Sequence, residues 1–589
     1  MNANIRNWGI VVSGLLTAWM GYDLYTLYMA DELWGYRTLV FYLSSWFFLA
    51  LLVFPKLAAG PDFLRNFGWS TLSGILLGVG FPDILPVPWL MFVGFVPLLL
   101  LESRLTGRPG GSRQLYQFSY HAFLVWNIVA TYWVGNSALG AGVFAIMVNA
   151  FLMTLPFMLF HFVKPYLPRI AYAGFISFWI TFEYLHHQWE LTWPWLTLGN
   201  SFAEYPMLVQ WYAYTGVFGG TLWILLINYL LFVGLVRRQA QQPFAAPLVR
   251  AGLLAVLPMI LSALMYHNYE ERGASVEVVV VQPNYEPHYE KFTIPAALQI
   301  ERFLELSEAQ VDAQTDYLVF PESSLGDYET HELTQYPEMQ RLQAFLSNYP
   351  RLRLVTGANA YTIFRKGEAH SPYVRTTINN WGDTLRWERS NIALQLDGSS
   401  QEVPIYKKSK LVPGPESFPY KELLFMFEPL VDKLGGTTAG VATQPERSVF
   451  AGPAGKIAPV ICYESVFGEF FTGYTQKGAE AAFIVTNDGW WDNTAGHRQH
   501  LYFASLRAIE NRRAIARSAN TGISAFINQR GDILQATRYN EATAIKGQIQ
   551  FNDQITFYVK WGDLIARIAL FLSLLLISNF LSKRLRVAS

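Results

Sequence analysis

The sequence predicts a multi-pass α-helical membrane domain joined to an α/β domain. Apolar residues make up 52% of the 589 residues and charged residues only 15%, a balance typical of membrane proteins. The apolar residues fill the first half of the chain, give way to mixed polarity near Arg272, and return in a short final segment. The formal net charge of +0 does not favour a nucleic-acid partner, and we expect none.

About ten segments have the composition of membrane-spanning helices, although several are shorter than the ~20 residues that a bilayer requires. The stretch 72–101 is interrupted by prolines and glycine, and it predicts either two short helices or a hairpin that does not fully cross. The segments are 8–24, 39–54, 72–81, 89–101, 118–134, 143–163, 170–185, 216–236, 248–266 and 564–581.

Basic residues lie in alternate loops between these segments, and this pattern predicts the orientation. Short cytoplasmic loops retain Lys and Arg during insertion, so we expect both termini in the cytoplasm and 272–563 on the outer face. The first helix has no small-residue cleavage site and is therefore predicted to be a retained anchor. The basic residues are Lys56, Arg65, Arg104, Arg108, Arg113, Lys164, Arg169, Arg237, Arg238, Arg250, Lys583, Arg584 and Arg586.

The outer segment alternates buried-strand patterns with helical ones, which favours a layered α/β domain. Helices are predicted over 295–312 and 500–516. The predicted strands are 276–281, 317–320, 352–356, 457–461 and 482–485.

Cys462 is the only cysteine, so the chain has neither a disulfide framework nor a thiolate zinc cage, and we expect no metal and no cofactor. A lone cysteine is more often a small buried hydrophobe than a nucleophile. Cys462 nevertheless ends a predicted strand, as Glu322 does, and Lys408 precedes a Leu-Val-Pro turn. A thiol nucleophile needs a base and a positive donor, and a neighbouring lysine can also lower the thiol pKa.

The order of these residues resembles the nitrilase-type carbon-nitrogen hydrolases, and specifically the membrane-bound apolipoprotein N-acyltransferases. Soluble nitrilases lack the membrane half, whose Trp-Pro-Trp signature this chain also resembles. The matching motifs are Phe320-Pro-Glu-Ser323, Tyr406-Lys-Lys-Ser-Lys-Leu-Val-Pro413, Glu416, Cys462-Tyr-Glu464, Thr486-Asn-Asp-Gly-Trp490, Arg507-Ala-Ile-Glu510 and Trp193-Pro-Trp-Leu-Thr-Leu-Gly199.

The resemblance implies an αββα sandwich with a Glu-Lys-Cys triad, in which Glu322 is the base, Lys408 stabilises the oxyanion, and Cys462 is the nucleophile. The other residues are assigned supporting roles by the same resemblance. They are Glu416, which orients Lys408; Tyr463, whose backbone N–H supports the oxyanion; Glu464, which helps to gate the site; and Phe292 and Trp490 as possible substrate contacts.

The resemblance also implies the activity. We expect transfer of an acyl chain from a membrane glycerophospholipid, with phosphatidylethanolamine as the expected donor, to the N-terminal amine of a diacylated apolipoprotein through a Cys462 thioester. The setting would be the bacterial inner membrane, with the catalytic domain in the periplasm. Two alternatives remain: a membrane-tethered nitrilase-type amidase or hydrolase, and a non-catalytic membrane module.

The expected domains follow from the composition and the resemblance together. Residues 1–66 have no counterpart in the family and form an extra pair of transmembrane helices. Residues 67–271 form the multi-helix membrane domain, 272–558 the periplasmic catalytic domain, and 559–589 the last helix with a basic cytoplasmic tail.

Overall fold

The structure is a computed structural model, and it describes residues 3–57, 62–291, 293–365, 367–368, 371–378, 382–399, 401–420, 422 and 440–588. The α-helices of the membrane half are α1 (Ala3–Met29), α2 (Arg37–Leu57), α3 (Phe63–Val79), α4 (Val96–Leu105), α5 (Gly111–Thr131), α6 (Val134–Ser137), α7 (Leu139–Val163), α8 (Ala171–His186), α9 (Tyr212–Thr215), α10 (Val217–Gln239) and α11 (Ala245–Asn268). Those of the second half are α12 (Ala296–Glu308), α13 (Pro337–Leu346), α14 (Gly468–Gln476), α15 (Ala495–Asn511), α16 (Phe557–Trp561) and α17 (Leu564–Ala588).

Each of the ten segments predicted as spanning helices is helical in the structure. Within the described ranges, seven helices are long and apolar enough to cross a membrane, so the chain is a multi-pass membrane protein. Several bounds were wrong; α5, for example, begins at Gly111 where the prediction began at residue 118. The segment predicted from residue 72 begins at Phe63, because the buried but polar Asn66 obscured its apolar face. The segment 89–101 is a short 3-10 turn, Pro88–Phe92, followed by α4.

The second half of the chain contains two β-sheets among its described residues. One has the order β14-β1-β2-β4-β6-β5, with β3 on β4 and β7 on β6, and the other has the order β13-β12-β11-β10-β9-β8. The strands are β1 (Ala274–Gln282), β2 (Tyr317–Val319), β3 (Leu325–Glu329), β4 (Arg353–Phe364), β5 (Arg375–Ile378), β6 (Thr384–Leu396), β7 (Ile405–Lys407), β8 (Phe450–Gly452), β9 (Gly455–Ile461), β10 (Ala481–Thr486), β11 (Ala514–Ala519), β12 (Ala525–Ile527), β13 (Ile533–Ala536) and β14 (Thr543–Phe551).

The two sheets face each other between outer helices, which confirms the predicted αββα sandwich. Along β1, Val278 and Val280 belong to the core shared with the second sheet, whereas Val279 and Val281 pack in the core formed with α12 and α13. This alternation is the two-residue period of a strand buried on both faces. The five predicted strands are all present.

The helix predicted over 500–516 was wrong at both ends. It runs over Ala495–Asn511, where Thr494 caps its first turn by accepting a hydrogen bond from the Gly496 N–H. It stops at Arg512, whose positive φ of 51° breaks the helical path, and β11 begins two residues later. The run of Arg and Ala residues does not itself distinguish the end of α15 from the start of β11.

Candidate active site

Cys462 sits on a sharp turn between a strand and a helical segment. It follows β9 directly and opens the 3-10 turn Cys462–Val466, with a φ of +47° that non-glycine residues seldom adopt. The turn is held by its own contacts, because Ser465 Oγ donates a hydrogen bond to the Cys462 carbonyl oxygen at 2.7 Å. Parallel pairing of β9 with β10 puts Cys462 at the same sheet edge as Thr486. The sequence therefore presents the thiol at a strand end, as predicted.

Glu322 lies just past β2, and a glycine makes room for it. A Cβ at Gly357, on the neighbouring strand β4, would come within 2.6 Å of Glu322 Cα, so only glycine allows this close approach. Glu322 Oε1 accepts hydrogen bonds from Lys408 Nζ at 3.0 Å and from Asn391 Nδ2 at 2.8 Å. The carboxylate is thus buried with both a cation and an amide donor on one oxygen.

Lys408 follows β7 and bridges two carboxylates. Its Nζ lies 3.0 Å from Glu322 Oε1 and 2.8 Å from Glu416 Oε1, and its side chain is 1% exposed. Burial acts to lower the pKa of Lys408, but the two carboxylates outweigh it and hold the pKa well above its ordinary value. Lys408 is therefore a fixed cation, and an ammonium has three N–H donors, so one remains for a third acceptor.

Glu416 is the most exposed member of this group, with 19% of its side chain accessible, and is anchored by its second oxygen. Its Oε2 accepts the Val412 N–H at 2.8 Å, and its Oε1 also accepts from Asn391 Nδ2 at 3.3 Å. These contacts fix the carboxylate that accepts a hydrogen bond from Lys408 Nζ.

The pKa of the Cys462 thiol is raised well above its ordinary value. Burial raises it, the Glu322 carboxylate adds to the rise, and the Lys408 charge opposes both. Lys408 does act to lower the thiol pKa, as expected, but desolvation and the Glu322 carboxylate outweigh this one cation. The thiol is neutral at rest, so it needs a base to become a nucleophile.

Glu464 is fully buried and joins the loop that carries Lys408 to the turn Cys462–Val466. It accepts the Ser409 N–H at 2.7 Å and the Tyr406 hydroxyl at 2.6 Å on one oxygen, and the Ile461 N–H at 2.9 Å on the other. Tyr474 OH donates to it as well, at 3.0 Å. A fully buried carboxylate with this many hydrogen-bond donors holds the two loops in fixed relative positions. This geometry favours a positioning role over the gating role expected from the sequence.

The structure also gives roles to residues that the sequence did not single out. His500, on α15, has acceptors at both ring nitrogens: Nε2 lies 3.2 Å from the Cys462 carbonyl oxygen and Nδ1 lies 3.0 Å from Asp488 Oδ1. Lys291 is buried, donates to the Glu322 carbonyl oxygen at 3.1 Å, and has its pKa lowered by burial to about 8. Asp488 lies within the Thr486-Asn-Asp-Gly-Trp490 motif, but no local pattern identifies Asn391, His500 or Lys291.

The Cys462, Asp488 and His500 side chains each have a potential metal ligand atom within 4.8 Å of the others. These atoms already have protein partners. Asp488 accepts hydrogen bonds from Thr486 and pairs with Arg517, while His500 also contacts Ser465. The arrangement fits a hydrogen-bonded support for the nucleophile turn better than a metal site.

The catalytic domain meets the membrane domain at a cluster of tryptophans. The Trp491 ring lies 4.8 Å from that of Trp133 and 5.4 Å from that of Trp195, and Tyr463 OH donates to the Thr192 carbonyl oxygen at 2.9 Å. The residue after Cys462 is thus hydrogen-bonded to the membrane domain. The active-site turn lies beside the Trp-Pro-Trp signature predicted from sequence.

Of the two residues predicted as substrate contacts, Trp490 lies at the edge of the tryptophan cluster. Trp490 is half-buried next to Trp491, and its ring lies 5.1 Å from that of His288. Its carbonyl oxygen accepts a hydrogen bond from Ser137 Oγ at 3.1 Å. Phe292 lies outside the described residues.

Comparison with known proteins assigns both halves of the chain. A family model described as the apolipoprotein N-acyltransferase N-terminal domain matches residues 73–230, and a carbon-nitrogen hydrolase model matches residues 278–556. An apolipoprotein N-acyltransferase from Chlorobaculum tepidum is 28% identical over 540 residues, which cover 87% of this chain and 95% of the relative. One from Geobacter metallireducens is 26% identical over 529 residues, which cover 86% of this chain and 94% of the relative.

A solved structure of a Nesterenkonia amidase from the nitrilase superfamily is 17% identical, with a TM-score of 0.33, and covers 50% of this chain and 97% of its own. The two family models match the membrane half and the second half of this chain, and the alignments to the two relatives span 95% and 94% of their lengths. The chain therefore belongs to the apolipoprotein N-acyltransferase family.

Proposed function

We propose that this enzyme transfers a fatty acyl chain from a membrane glycerophospholipid to the N-terminal α-amino group of S-diacylglyceryl-cysteine in a lipoprotein. The expected donor is phosphatidylethanolamine, and the reaction would be the last step of bacterial lipoprotein maturation. The convergence of Glu322, Lys408 and Cys462 beside the tryptophan cluster of the membrane domain supports the proposal best. Full-length relatives named apolipoprotein N-acyltransferase agree with it.

In the first half-reaction, Glu322 takes the proton from the Cys462 thiol, and the sulfur attacks the ester carbonyl carbon of the phospholipid. The free N–H of Lys408 and the backbone N–H of Tyr463 stabilise the oxyanion that forms. Collapse breaks the bond to the glycerol oxygen, which takes the proton from Glu322 and leaves as a lysophospholipid. The acyl chain remains on Cys462 as a thioester.

In the second half-reaction, the α-amino group of the acceptor attacks the thioester carbonyl carbon. Glu322 takes a proton from the amine, the same two donors hold the oxyanion, and the C–S bond breaks to release the amide. The departing sulfur of Cys462 regains the proton from Glu322. A thioester suits this exchange because it reacts readily with amines while surviving contact with water.

Glu416 has a supporting part in both steps. Its contact with Lys408 at 2.8 Å shares the cation between two carboxylates, so Lys408 cannot turn fully toward Glu322 and leave the oxyanion position. Its carboxylate is also more exposed than those of its neighbours in the group, so an incoming amine would meet it first.

The products distinguish the proposed transfer from the hydrolase alternative. Detergent-purified protein would be incubated with phosphatidylethanolamine and a diacylated lipopeptide, and the products resolved by mass spectrometry. We expect one lysophospholipid for each N-acylated lipopeptide. Release of free fatty acid with no acylated lipopeptide would instead identify a hydrolase.

Neighbouring lysines provide a matched control for this assay. Lys407 pairs with Glu388 at 2.7 Å, away from Glu322 and Cys462, and so carries the same charge one residue from the site. Lys407→Ala should transfer acyl chains at close to the parent rate, whereas Lys408→Ala should not. Equal rates for both variants would remove Lys408 from the mechanism.

We further propose the topology predicted by the basic loops, with both termini in the cytoplasm and 272–558 in the periplasm. Cys462→Ala provides a cysteine-free background for single-cysteine labelling in cells. A cysteine at Glu305, exposed on α12, should react with a membrane-impermeant maleimide once the outer membrane is opened. A cysteine at Arg238, exposed at the end of α10, should stay unlabelled, and the reverse pattern would invert the topology.

A further inference from the structure

The first helical hairpin, α1 and α2, reaches the catalytic domain through the loop that joins its helices. The backbone N–H groups of Trp34 and Gly35 donate to Asp492 Oδ2 at 3.0 and 2.9 Å. Successive N–H groups that converge on one oxygen form an anion-binding concavity, and Gly35 supplies the positive φ, +56°, of this turn. Asp492 is 2% exposed, so the contact is shielded from water.

Two further contacts hold the hairpin loop in place. Asn136 Nδ2 donates both to Asp492 Oδ2 at 2.8 Å and to the Gly35 carbonyl oxygen at 2.9 Å, so it bridges the two partners. Arg498, on α15, donates to the Tyr36 hydroxyl at 2.6 Å. The other end of the hairpin packs into the bundle, where Trp46 Nε1 donates to His121 Nδ1 at 2.8 Å.

Asp492 occupies a backbone conformation that favours glycine. Its φ of +54° and ψ of −171° fall close to a region used almost only by residues without a Cβ. A glycine at this position would relieve the backbone strain, whereas the aspartate retains it. The hydrogen bonds of the Asp492 carboxylate therefore have to outweigh the free-energy cost of that strain. This points to a role for the side chain itself.

The loop that carries Asp492 also supports the nucleophile turn. Asp488 lies four residues earlier, and its Oδ1 is 3.0 Å from His500 Nδ1, while His500 Nε2 is 3.2 Å from the Cys462 carbonyl oxygen. The loop 487–494 is therefore in contact with the hairpin at one end and, through one histidine, with the turn that presents the thiol at the other.

We propose that the first helical hairpin holds the loop 487–494 in position through its contacts with Asp492. The hairpin thereby sets the rate at which Cys462 accepts an acyl chain. The inference rests on the proposed role of Cys462 as the nucleophile. The hairpin precedes residue 73, where the family match begins, so it is an addition to the part of the chain that matches the family model.

The test uses full-length protein in nanodiscs that contain phosphatidylethanolamine. Hydrogen exchange of the 30–36 and 487–494 amides and the single-turnover rate of Cys462 acylation are measured for Asp492→Ala, Asp492→Gly and Asp492→Asn. We expect the first two to exchange faster in both segments and to acylate about ten-fold more slowly, even though glycine relieves the strain. Asparagine should restore part of both, because its amide oxygen still accepts N–H donors.

Asp316→Ala is the matched control. Asp316 is also a buried aspartate that accepts a backbone N–H, from Glu277 at 3.1 Å, and pairs with Arg351, but it lies at the other end of β2 from Glu322. It should leave the exchange of both segments and the acylation rate unchanged.

Two results would overturn the proposal. One is an Asp492→Gly variant whose exchange and acylation stay within about two-fold of the parent. The other is equal slowing by Asp316→Ala, which would mark a general loss of stability. A parent that forms no adduct on Cys462 would refute the proposed function instead, and the exchange of the two segments would then decide the coupling by itself.

Discussion

Replacing Lys408 by methionine should separate the electrostatic role of this residue from its volume. Methionine fills similar space but removes the charge and all three N–H donors. The change leaves Glu322 and Glu416 facing each other without the cation that now lies 3.0 and 2.8 Å from them. Both the stability of the catalytic domain and its chemistry should suffer.

The magnitudes follow from these distances. With an effective dielectric constant of about 20, each ion pair near 3 Å attracts by roughly 5 kcal/mol, but desolvation cancels most of that gain. Breaking a buried pair costs about 3–5 kcal/mol of unfolding free energy, reduced where one carboxylate takes up a proton. Loss of an oxyanion donor lowers the chemical rate by about 10²–10³-fold.

The assay compares Lys408→Met with Lys407→Met in single-turnover acylation of Cys462 and in thermal unfolding. The Lys407 variant should stay within about three-fold of the parent rate, since its partner Glu388 is outside the site. A second substitution, Glu416→Gln, should recover stability in the Lys408 variant without recovering activity. Acylation by Lys408→Met within ten-fold of the parent would refute the reasoning, because no oxyanion donor would then have been lost.

Three further perturbations test other parts of the site. Gly357→Ala places a Cβ within 2.6 Å of Glu322 Cα, so we expect at least about ten-fold slower acylation with a folded protein, and unchanged kinetics would contradict the close approach. Glu464→Gln puts an amide N–H₂ among five donors and should lower the unfolding free energy by about 1–3 kcal/mol, as measured by chemical denaturation; a smaller loss would argue against the positioning role of Glu464. The raised pKa of Cys462 means that the folded state holds the thiol proton more tightly, so stability is full below about pH 8.5 and falls as the pH rises above it. Thermal melts at pH 7.5 and 9.5 should show a smaller alkaline loss for Cys462→Ala than for the parent, and equal losses would exclude this linkage.

Much of the architecture could be predicted because it is encoded in strong local sequence patterns. The membrane helices are apolar over most of their length, and the strands of the catalytic core are short apolar runs that end in polar residues. The predicted helix bounds were wrong where a polar residue is buried. Asn66 is buried within α3 although its side chain is polar, and it hid the first turns of that helix.

The supporting residues of the site were harder to predict because long-range contacts define them. Lys408 and Glu416 are eight residues apart and belong to one motif, whereas Asn391 and Glu322 come from separate strands and meet only after folding. His500 lies on α15 but outside the Arg507-Ala-Ile-Glu510 motif of that helix, so its contact with Cys462 has no signature in the sequence.

The net direction of the Cys462 pKa shift could also be obtained only from the three-dimensional structure. The sequence shows that a lysine and a glutamate accompany the thiol, but not how deeply the thiol is buried. Burial proves to be the largest influence, with Glu322 second and Lys408 opposing them. Similarly, the loop 30–36 lacks any motif, and its contact with Asp492 becomes visible only through the fold.

The mass of the protein after incubation with phosphatidylethanolamine alone tests the central claim most directly. We expect Cys462 to gain the mass of one acyl chain, with the adduct removed by hydroxylamine and discharged by a diacylated lipopeptide. Cys462→Ala should gain nothing. An absent adduct on the parent protein, together with unchanged lipoprotein acylation in cells that carry Cys462→Ala, would contradict the role of this cysteine as the acyl carrier.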